Sequence, residues 1–281
     1  MAVKITSDST CDLGELLVEK YNVTIMPLNV ILDTETYHDG VTIQPQDIFS
    51  FVAKTNMLPK TSARSLIDYE EFFAENLKNT DEIVHFSISS KCSVSHDVAK
   101  QAAESFGGKV KVIDSKALST GQGLLVLKAC EMSSQGKTAT EIVEKINELR
   151  EKVNTSFVPD HLDYLYKGGR CSKMEMYGAN ILKIHPMIYM QDGALGVKKK
   201  YRGPMTRCIS NYIEDLRVEF SNYDKTRCFV THSHADPELV ELAVKKVKES
   251  FGFEEVLVTT AGSVVTGHCG RNTLGVLFIY E

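Results

Sequence analysis

The sequence predicts an α/β protein built of two α/β domains, and three observations support this prediction. With 281 residues, of which 43% are hydrophobic, the chain is long and apolar enough to bury a large core. Short apolar runs alternate with longer amphipathic runs, as in βα units whose parallel strands are covered by helices. The second half adds a hairpin signal at Gln191-Asp192-Gly193, which indicates a mixed sheet.

We therefore expect a Rossmann-like parallel sheet in an N-terminal domain, residues 1–155. Its predicted strands are the short apolar runs Val3–Thr6, Thr24–Val30, Glu82–Phe86 and Val110–Ile113. Its predicted helices are the amphipathic runs Leu13–Tyr21, Pro45–Lys54, Tyr69–Leu77, Val94–Phe106, Gly121–Gln135 and Thr140–Lys152. The last helix has the clearest pattern, because Ile142, Ile146 and Leu149 recur at helical spacing after a Thr-Ala-Thr-Glu capping-box sequence.

The C-terminal domain, residues 156–281, is expected to hold a mixed sheet with helices. Its predicted strands are Ser156–Val158, Met187–Met190, Leu195–Lys199, Arg227–Thr231, Glu255–Thr259 and Leu274–Tyr280. Its predicted helices are Thr206–Phe220 and Pro237–Ser250. Pro237 suits the start of a helix, where its missing N–H group has no partner to lose.

Charge, cysteines and hydropathy exclude several classes of protein. The 32 Lys and Arg residues against 37 Asp and Glu give a net charge of −5, which disfavours nucleic acid as the main partner. The seven cysteines are scattered without a C-x-x-C pair, which is typical of free thiols in a reducing compartment. The start lacks the apolar core of a signal peptide, and no apolar run approaches the about 18 residues of a membrane span. We expect a cytoplasmic protein without integral membrane association.

Hydroxyl side chains cluster after the predicted parallel strands, where open α/β sheets bind ligands. The clusters are Thr6-Ser7-Asp8-Ser9-Thr10, Ser87 to Ser93, and Asp114-Ser115, with a further pair, Thr61-Ser62, in a predicted loop before a helix. Helix capping is the alternative role for each cluster. The sequence has no phosphate-binding P-loop, no G-x-G-x-x-G after the first strand and no G-x-S-x-G elbow, so nucleotide binding and serine hydrolysis lack support.

A metal-dependent hydrolase is an alternative reading. His232-Ser233-His234-Ala235-Asp236 directly follows a predicted strand and offers two imidazoles and a carboxylate, which suit zinc. Pro237 stands where the related hydrolase motif has its next histidine, and the other histidines form no second cluster. The simpler interpretation is a polar strand end at which Asp236-Pro237 starts a helix.

Two basic segments and one histidine complete the candidate residues. Lys167-Gly168-Gly169-Arg170 and Lys198-Lys199-Lys200-Tyr201-Arg202 concentrate positive charge, either as solvated loops or as a surface for an anionic group or acidic partner. His268 lies in a glycine-rich segment, and glycines permit close backbone approach to a ligand. A structural role is the alternative for this histidine.

Taken in order, these segments resemble the DegV family, the fatty-acid-binding subunits of bacterial fatty acid kinases. The matching motifs are Ser7-Asp8-Ser9-Thr10 with Asp12-Leu13; Lys60-Thr61-Ser62; Ile88-Ser89-Ser90 with Ser93; Val112-Ile113-Asp114-Ser115 with Ser119, Gly121 and Gly123; Leu162-Asp163-Tyr164-Leu165 with Lys167-Gly168-Gly169-Arg170; and Gly267-His268 with Thr273-Leu274-Gly275. Each motif is weak alone, whereas the ordered set is specific.

The resemblance implies that one long-chain fatty acid lies between the two domains, with its tail in an apolar tunnel, and it implies no cofactor. By position, Thr61 and Ser93 match the family's carboxylate-binding hydroxyls, and His268 matches its carboxylate-binding histidine. Ser62 and Cys269 adjoin these residues and are predicted to bind the ligand with them. Met26, Leu28, Ile181 and Met187 are candidates for the tunnel wall, although core packing is the alternative for each.

The resemblance also implies a partner. In the family, a separate ATP-binding kinase subunit phosphorylates the presented carboxylate, giving an acyl phosphate for phospholipid synthesis. Arg170 and Arg202 match basic residues associated with that partner and with phosphoryl transfer. This chain would then be a carrier without catalytic activity of its own. A lipid sensor that takes no part in phosphoryl transfer would use the same pocket and is a second alternative.

Three segments depart from the family's usual motifs. Ala63-Arg64 stands in the usual T-S-x-P-S motif, Val94 in the usual L-S-G-T motif, and Arg271-Asn272 in the usual H-T-G-P-G-T-L-G motif. The residues matched to the head group persist. The departures therefore concern pocket shape, acyl preference and partner docking more than carboxylate binding.

Overall fold

A computed structural model describes residues 2–170 and 184–281. In chain order its elements are β1 (Val3–Asp8), α1 (Gly14–Lys20), β2 (Thr24–Met26), β3 (Asn29–Leu32), β4 (Glu35–His38), α2 (Pro45–Thr55), β5 (Lys60–Ser62), α3 (Leu66–Leu77), β6 (Glu82–Ser87), α4 (Ser95–Ala103), β7 (Val110–Asp114), α5 (Thr120–Ser134), α6 (Ala139–Leu149), β8 (Val153–Asn154), β9 (Ser156–Val158), α7 (Asp163–Lys167), β10 (Ile184–Gln191), β11 (Ala194–Arg202), α8 (Met205–Glu219), β12 (Arg227–Ser233), α9 (Pro237–Ser250), β13 (Glu255–Thr260), α10 (Ser263–Cys269) and β14 (Thr273–Ile279).

The first large sheet is parallel, as predicted. Its strand order is β2-β1-β6-β7, and each neighbouring pair runs parallel. Its central strands are buried over most of their length, which requires helices on both faces. The carboxyl ends of β1, β6 and β7 therefore bring the hydroxyl clusters that follow them to one edge of the sheet.

The second large sheet is mixed, as predicted. Its order is β11-β10-β9-β14-β12-β13, with β8 paired to β14, and only β12 and β13 run parallel. The hairpin between β10 and β11 turns at Asp192 and Gly193, which have φ values of 49° and 80°. Two consecutive positive φ values are typical of the tight turn that matches strand twist.

Part of the first half was predicted incorrectly. The predicted strand Thr24–Val30 is broken at Pro27 into β2, which joins the parallel sheet, and β3, which pairs with β4 and β5 in a small antiparallel sheet. Proline has no N–H group to continue the ladder, so the chain changes sheets there. Thr61 and Ser62, expected in a loop, belong to β5, where Thr61 pairs with Val30.

Helix α5 lies between the two large sheets. It contacts β1 and β6 of the parallel sheet and β14 of the mixed sheet. One apolar cluster accordingly joins Val84 of β6, Leu125 of α5, and Phe229 and Leu277 of the mixed sheet. A Cβ atom on Gly123 would lie 2.7 Å from the Cys11 carbonyl oxygen, so glycine permits this close packing.

The division into domains 1–155 and 156–281 stays a prediction. The large sheets take their strands from either side of residue 152, yet the apolar cluster around α5 includes residues from both sides. Within residues 2–170 and 184–281, no helix combines the length and apolar composition needed to cross a membrane.

Candidate functional site

A cavity of about 420 Å³ collects residues from both large sheets and from the small one. Most of its wall is apolar and includes Leu28, Ile88, Leu118, Phe157, Leu165 and Val265. A cavity of this size and character is typical of a small-molecule site. Val94 and Arg170, both exposed, also line it, so the cavity opens to the surface beside them.

The structure brings all five predicted ligand-binding residues to this cavity. Thr61, Ser62, Ser93, His268 and Cys269 all line it. Thr61 and Ser62 come from β5, Ser93 from the turn before α4, and His268 and Cys269 from the end of α10. The sequence did not predict α10, because its residues Ser-Val-Val-Thr-Gly-His-Cys have little helical pattern.

Thr61 and His268 form a direct hydrogen bond. The Thr61 Oγ1 atom lies 2.9 Å from His268 Nε2. Burial of the imidazole, and after it the positive charge of Arg170, lowers the pKa of His268 to about 4. The ring is therefore neutral at neutral pH, and one of its two nitrogen atoms carries a proton.

The other ring nitrogen of His268 faces the segment that carries Arg170. Among the described residues, Nδ1 is buried and has no hydrogen-bond partner. A Cβ atom on Gly168 would lie 2.6 Å from Nδ1, so a glycine at this position lets the backbone pass close to the ring. Gly168 thereby has a role at the site that the motif match did not assign.

Ser93 lies at the start of α4. Its Oγ atom accepts a hydrogen bond from the Ser95 backbone N–H at 3.2 Å and lies 2.8 Å from Ser95 Oγ. The first turn of a helix presents unpaired N–H groups and a partial positive charge, which favour an anion nearby. Ser93 thus contacts the first backbone N–H group of α4 and also lines the cavity.

Of the two basic residues, only Arg170 lines the cavity. Its guanidinium donates to the Gly168 carbonyl at 2.8 Å and to the Cys92 carbonyl at 3.5 Å. These bonds connect the segment Lys167-Gly168-Gly169-Arg170 to the turn before α4. Arg202 is exposed at the end of β11 and is not among the residues that line the cavity.

Of the tunnel candidates, Leu28 lines the cavity. The interpretation of Met26 and Met187 as wall residues is wrong for this cavity, since each packs in a separate apolar cluster. Ile181 lies outside the described residues.

The metal-site alternative has no support in the structure. His232 Nδ1 accepts a hydrogen bond from the Ala235 backbone N–H, and the His234 ring packs edge-on against Phe49. Asp236 precedes α9, as the simpler interpretation expected. In the part of the chain that the structure describes, no group of three or more His, Cys, Asp or Glu side chains is arranged to hold a metal ion.

Two buried aspartates hold the helix that carries His268. Asp12 Oδ1 accepts from the Gly262 N–H at 2.8 Å, and Asp39 Oδ1 accepts from the Ser263 N–H at 2.6 Å. Burial raises the pKa of Asp12 to about 8 and also raises that of Asp39. Sequence reasoning missed this role, because the aspartates lie more than 200 residues from the helix they hold.

Comparisons with known proteins agree with this architecture. A family model described as "Uncharacterised protein, DegV family" matches residues 2–281. A DegV domain-containing protein of Clostridium acetobutylicum is 33% identical over 282 residues, covering 99% of this chain and 98% of that protein. One from Caldanaerobacter subterraneus subsp. tengcongensis is 30% identical over 283 residues, covering 98% of each.

Solved structures resemble the whole chain. A DegV family protein from Thermus thermophilus, described by its fatty acid binding, superposes with a TM-score of 0.93 at 27% identity and full coverage of both chains. A stearic-acid-binding protein from Eubacterium ventriosum gives a TM-score of 0.86 at 27% identity, covering 99% of this chain and 98% of that one. The family model and these relatives, matched over nearly the entire length, show that this chain belongs to the DegV family.

Proposed function

We propose that the protein binds one long-chain fatty acid in the 420 Å³ cavity, with the carboxylate at Thr61, Ser93 and His268. The observation that carries this proposal is that one apolar cavity collects all three residues matched to the family's head-group site. The fatty acid binding described for the Thermus thermophilus protein and the stearic acid binding described for the Eubacterium ventriosum protein support the ligand class.

The tail provides most of the affinity in this proposal. Each methylene buried from water contributes about 0.8 kcal/mol, so a tail of about fifteen methylenes has an upper bound near 12 kcal/mol. A charge-assisted hydrogen bond contributes about 1.5–3 kcal/mol. The hydroxyls and the imidazole therefore orient the ligand and compensate its carboxylate for lost water.

The neutral imidazole directs the Thr61 hydroxyl. A carboxylate only accepts hydrogen bonds, so Thr61 must donate its single proton to the ligand. His268 then has to donate from Nε2 to Thr61 Oγ1, which selects the tautomer protonated at Nε2. Ser93 accepts from the Ser95 N–H, and in this proposal it also accepts from the Ser95 hydroxyl, so that its own proton is donated to the carboxylate.

The carrier role extends this proposal to a partner. We propose that a separate ATP-binding kinase subunit docks where the cavity opens and phosphorylates the carboxylate, with Arg170 at the opening and Arg202 farther along the same surface of contact. Arg170 lies at the cavity opening between Gly168 and Cys92, which supports its proposed role in phosphoryl transfer. For Arg202 the support is its exposure and its place in a basic segment.

Mass spectrometry of an organic extract, together with calorimetric titration of palmitate, tests the binding proposal. We expect a stoichiometric long-chain acid or saturable binding. Thr61→Val and Ser93→Ala should each weaken binding by about 10- to 150-fold, the loss of one charge-assisted hydrogen bond. Ser134→Ala removes an exposed hydroxyl that does not line the cavity, so it should leave the palmitate affinity unchanged. Absence of any lipid, before or after its addition, would refute the binding proposal.

Acyl phosphate formation tests the carrier role. The protein loaded with palmitate is incubated with ATP and a purified bacterial fatty acid kinase ATP-binding subunit. We expect acyl phosphate, with a large loss of rate in Arg170→Ala when palmitate is saturating. Arg217→Ala, which alters an exposed arginine of α8, is the control. Tight palmitate binding without acyl phosphate would favour the lipid-sensor alternative over the carrier.

A further inference from the structure

A second, smaller cavity of about 30 Å³ lies behind the wall of the first. Four residues, Leu118, Phe157, Val265 and Cys269, line both cavities, so a single layer of side chains separates them. The remaining lining of this inner cavity comes from the mixed sheet, the start of α5 and Ala261, the residue that follows β13. Ala261 and Leu277 line the inner cavity and not the larger one.

The inner cavity presents an apolar surface although its wall contains several polar residues. Each of its hydroxyls is engaged by a protein group: Ser119 with Asp12 (2.6 Å), Ser156 with Tyr212 (2.9 Å), Thr231 with Thr120 (2.6 Å), Ser233 with Thr266 (3.1 Å) and Thr273 with the Cys269 carbonyl (2.8 Å). A water molecule needs two to four polar partners to occupy a buried site. His232, which also lines the cavity, accepts at Nδ1 from the Ala235 N–H at 3.3 Å. With its hydroxyls and this nitrogen already bonded, the wall favours an alkyl group.

Size and packing favour the same occupant. The volume of about 30 Å³ is large enough for one small group, such as the terminal methyl of an alkyl chain. Gly275 lets β14 pack closely against β9, since a Cβ atom there would lie 3.1 Å from Phe157 Cβ and 2.6 Å from the Ser156 carbonyl oxygen. Atoms that line an unfilled space forgo dispersion contacts, and a methyl group would restore them.

We propose that the inner cavity receives the methyl end of the bound fatty acid and that Ala261 sets the longest chain that gains affinity. The proposal rests on the proposed function, because it assigns the far end of the same ligand. Ala261 is 4% exposed and lies between β13 and α10, so its side chain has a fixed place in the wall. A larger residue there would fill the inner cavity and leave the larger cavity, with its head-group residues, unchanged.

Calorimetric titration of the full-length protein with saturated fatty acids of increasing length tests this inference. In the wild type, affinity should rise by about fourfold per methylene until the inner cavity is filled, and then level off. In Ala261→Val, the affinity should stop rising at an acid about one carbon shorter than in the wild type, and the affinity for shorter acids should be unchanged. Leu277→Val enlarges the inner cavity, so in this variant the affinity should continue to rise up to a longer acid than in the wild type.

Val264→Ala provides the control, because Val264 lines the larger cavity alone. It should change the affinity of all acids alike and leave the levelling point unmoved. If Ala261→Val fails to fold, Leu277→Val decides the question by itself. Folded variants that level off at the wild-type chain length would overturn the inference and leave the proposed function intact. A wild type that binds no acid of any length would overturn both.

Discussion

The hydrogen bond between Thr61 and His268 joins residues 207 positions apart in the chain. Its geometry depends on β5, which holds Thr61 through pairing with β3, and on α10, which holds His268. The pKa of His268, lowered to about 4 by burial, makes the imidazole neutral. Among single residues, the candidate site thus depends on two polar side chains that only the folded chain brings together.

Gly168 lies so close to the His268 ring that a side chain at this position would clash with it. Because a Cβ atom would lie 2.6 Å from His268 Nδ1, we expect Gly168→Ala to displace the imidazole and weaken fatty acid binding by at least about tenfold. The backbone of Gly168 has a helical φ of −71°, so alanine adds no conformational strain. Gly252→Ala, with no atom within 4 Å of its Cβ, is the matched control for calorimetry. Equal affinity in the two variants would contradict the assigned contact.

Asp12 makes the stability of the protein depend on pH. Its native pKa of about 8 exceeds the ordinary value of 3.8, so the stability that its protonated form provides is lost as pH rises through about 8. We expect the free energy of unfolding to fall between about pH 6 and about pH 9, and to fall less in Asp12→Asn. Urea denaturation at both pH values measures this difference.

Asp33→Asn is the control for that experiment. Asp33 shares the left-handed backbone of Asp12, with a φ of 57° against 49°, but its side chain is exposed. Its substitution should leave the pH dependence as in the wild type. A pH dependence that is identical in the wild type and in Asp12→Asn would show that Asp12 is already ionised at about pH 6 in the native protein.

At the scale of elements, helix α5 differs from an ordinary surface helix. Both large sheets pack against it. Gly121 and Gly123 lie where other segments of the protein approach the helix most closely. Glycine at both positions permits this close approach. The sequence also predicted most helices and strands to within a few residues, since apolar periodicity reflects which face is buried.

Gly123→Ala tests this packing. At an exposed helical position, replacing glycine by alanine stabilises the helix by about 1 kcal/mol. Here the new Cβ would lie 2.7 Å from the Cys11 carbonyl oxygen and 2.8 Å from Leu13 Cδ2. We therefore expect a net loss of about 1–3 kcal/mol in the free energy of unfolding, measured by urea denaturation. Ser134→Ala at the exposed end of the same helix should be neutral or slightly stabilising, and a stabilised Gly123→Ala would contradict the close packing.

Elements that lack periodicity were predicted less well. The strands β4, β5 and β8 and the helices α7 and α10 were missed, and each is short. Their formation depends on partners distant in the chain: β5 pairs with β3, and α10 is held by Asp12 and Asp39. Local propensity is a weak guide where tertiary contacts determine the conformation.

At the scale of the whole molecule, the shared apolar cluster around α5 links the two sheets energetically. We expect Phe229→Ala, which removes a fully buried ring from β12, to destabilise the parallel sheet as well as the mixed sheet, by about 3–5 kcal/mol. Hydrogen exchange monitored by mass spectrometry should show reduced protection in peptides from both β6 and β13. Val218→Ala, at an exposed position of α8, is the control. Reduced protection confined to residues 156–281 would instead support two independently unfolding domains.

Residue patterns along the chain were enough to predict the α/β class, the parallel and mixed sheets, the family resemblance and the candidate head-group residues. These depend on local periodicity and on ordered motifs, which are properties of the chain. The folded structure was needed to see that Thr61, Ser93 and His268 line one cavity, that burial lowers the pKa of His268, and that Arg202 is not among the lining residues. Burial and distance arise from packing between distant segments, and no local pattern encodes them.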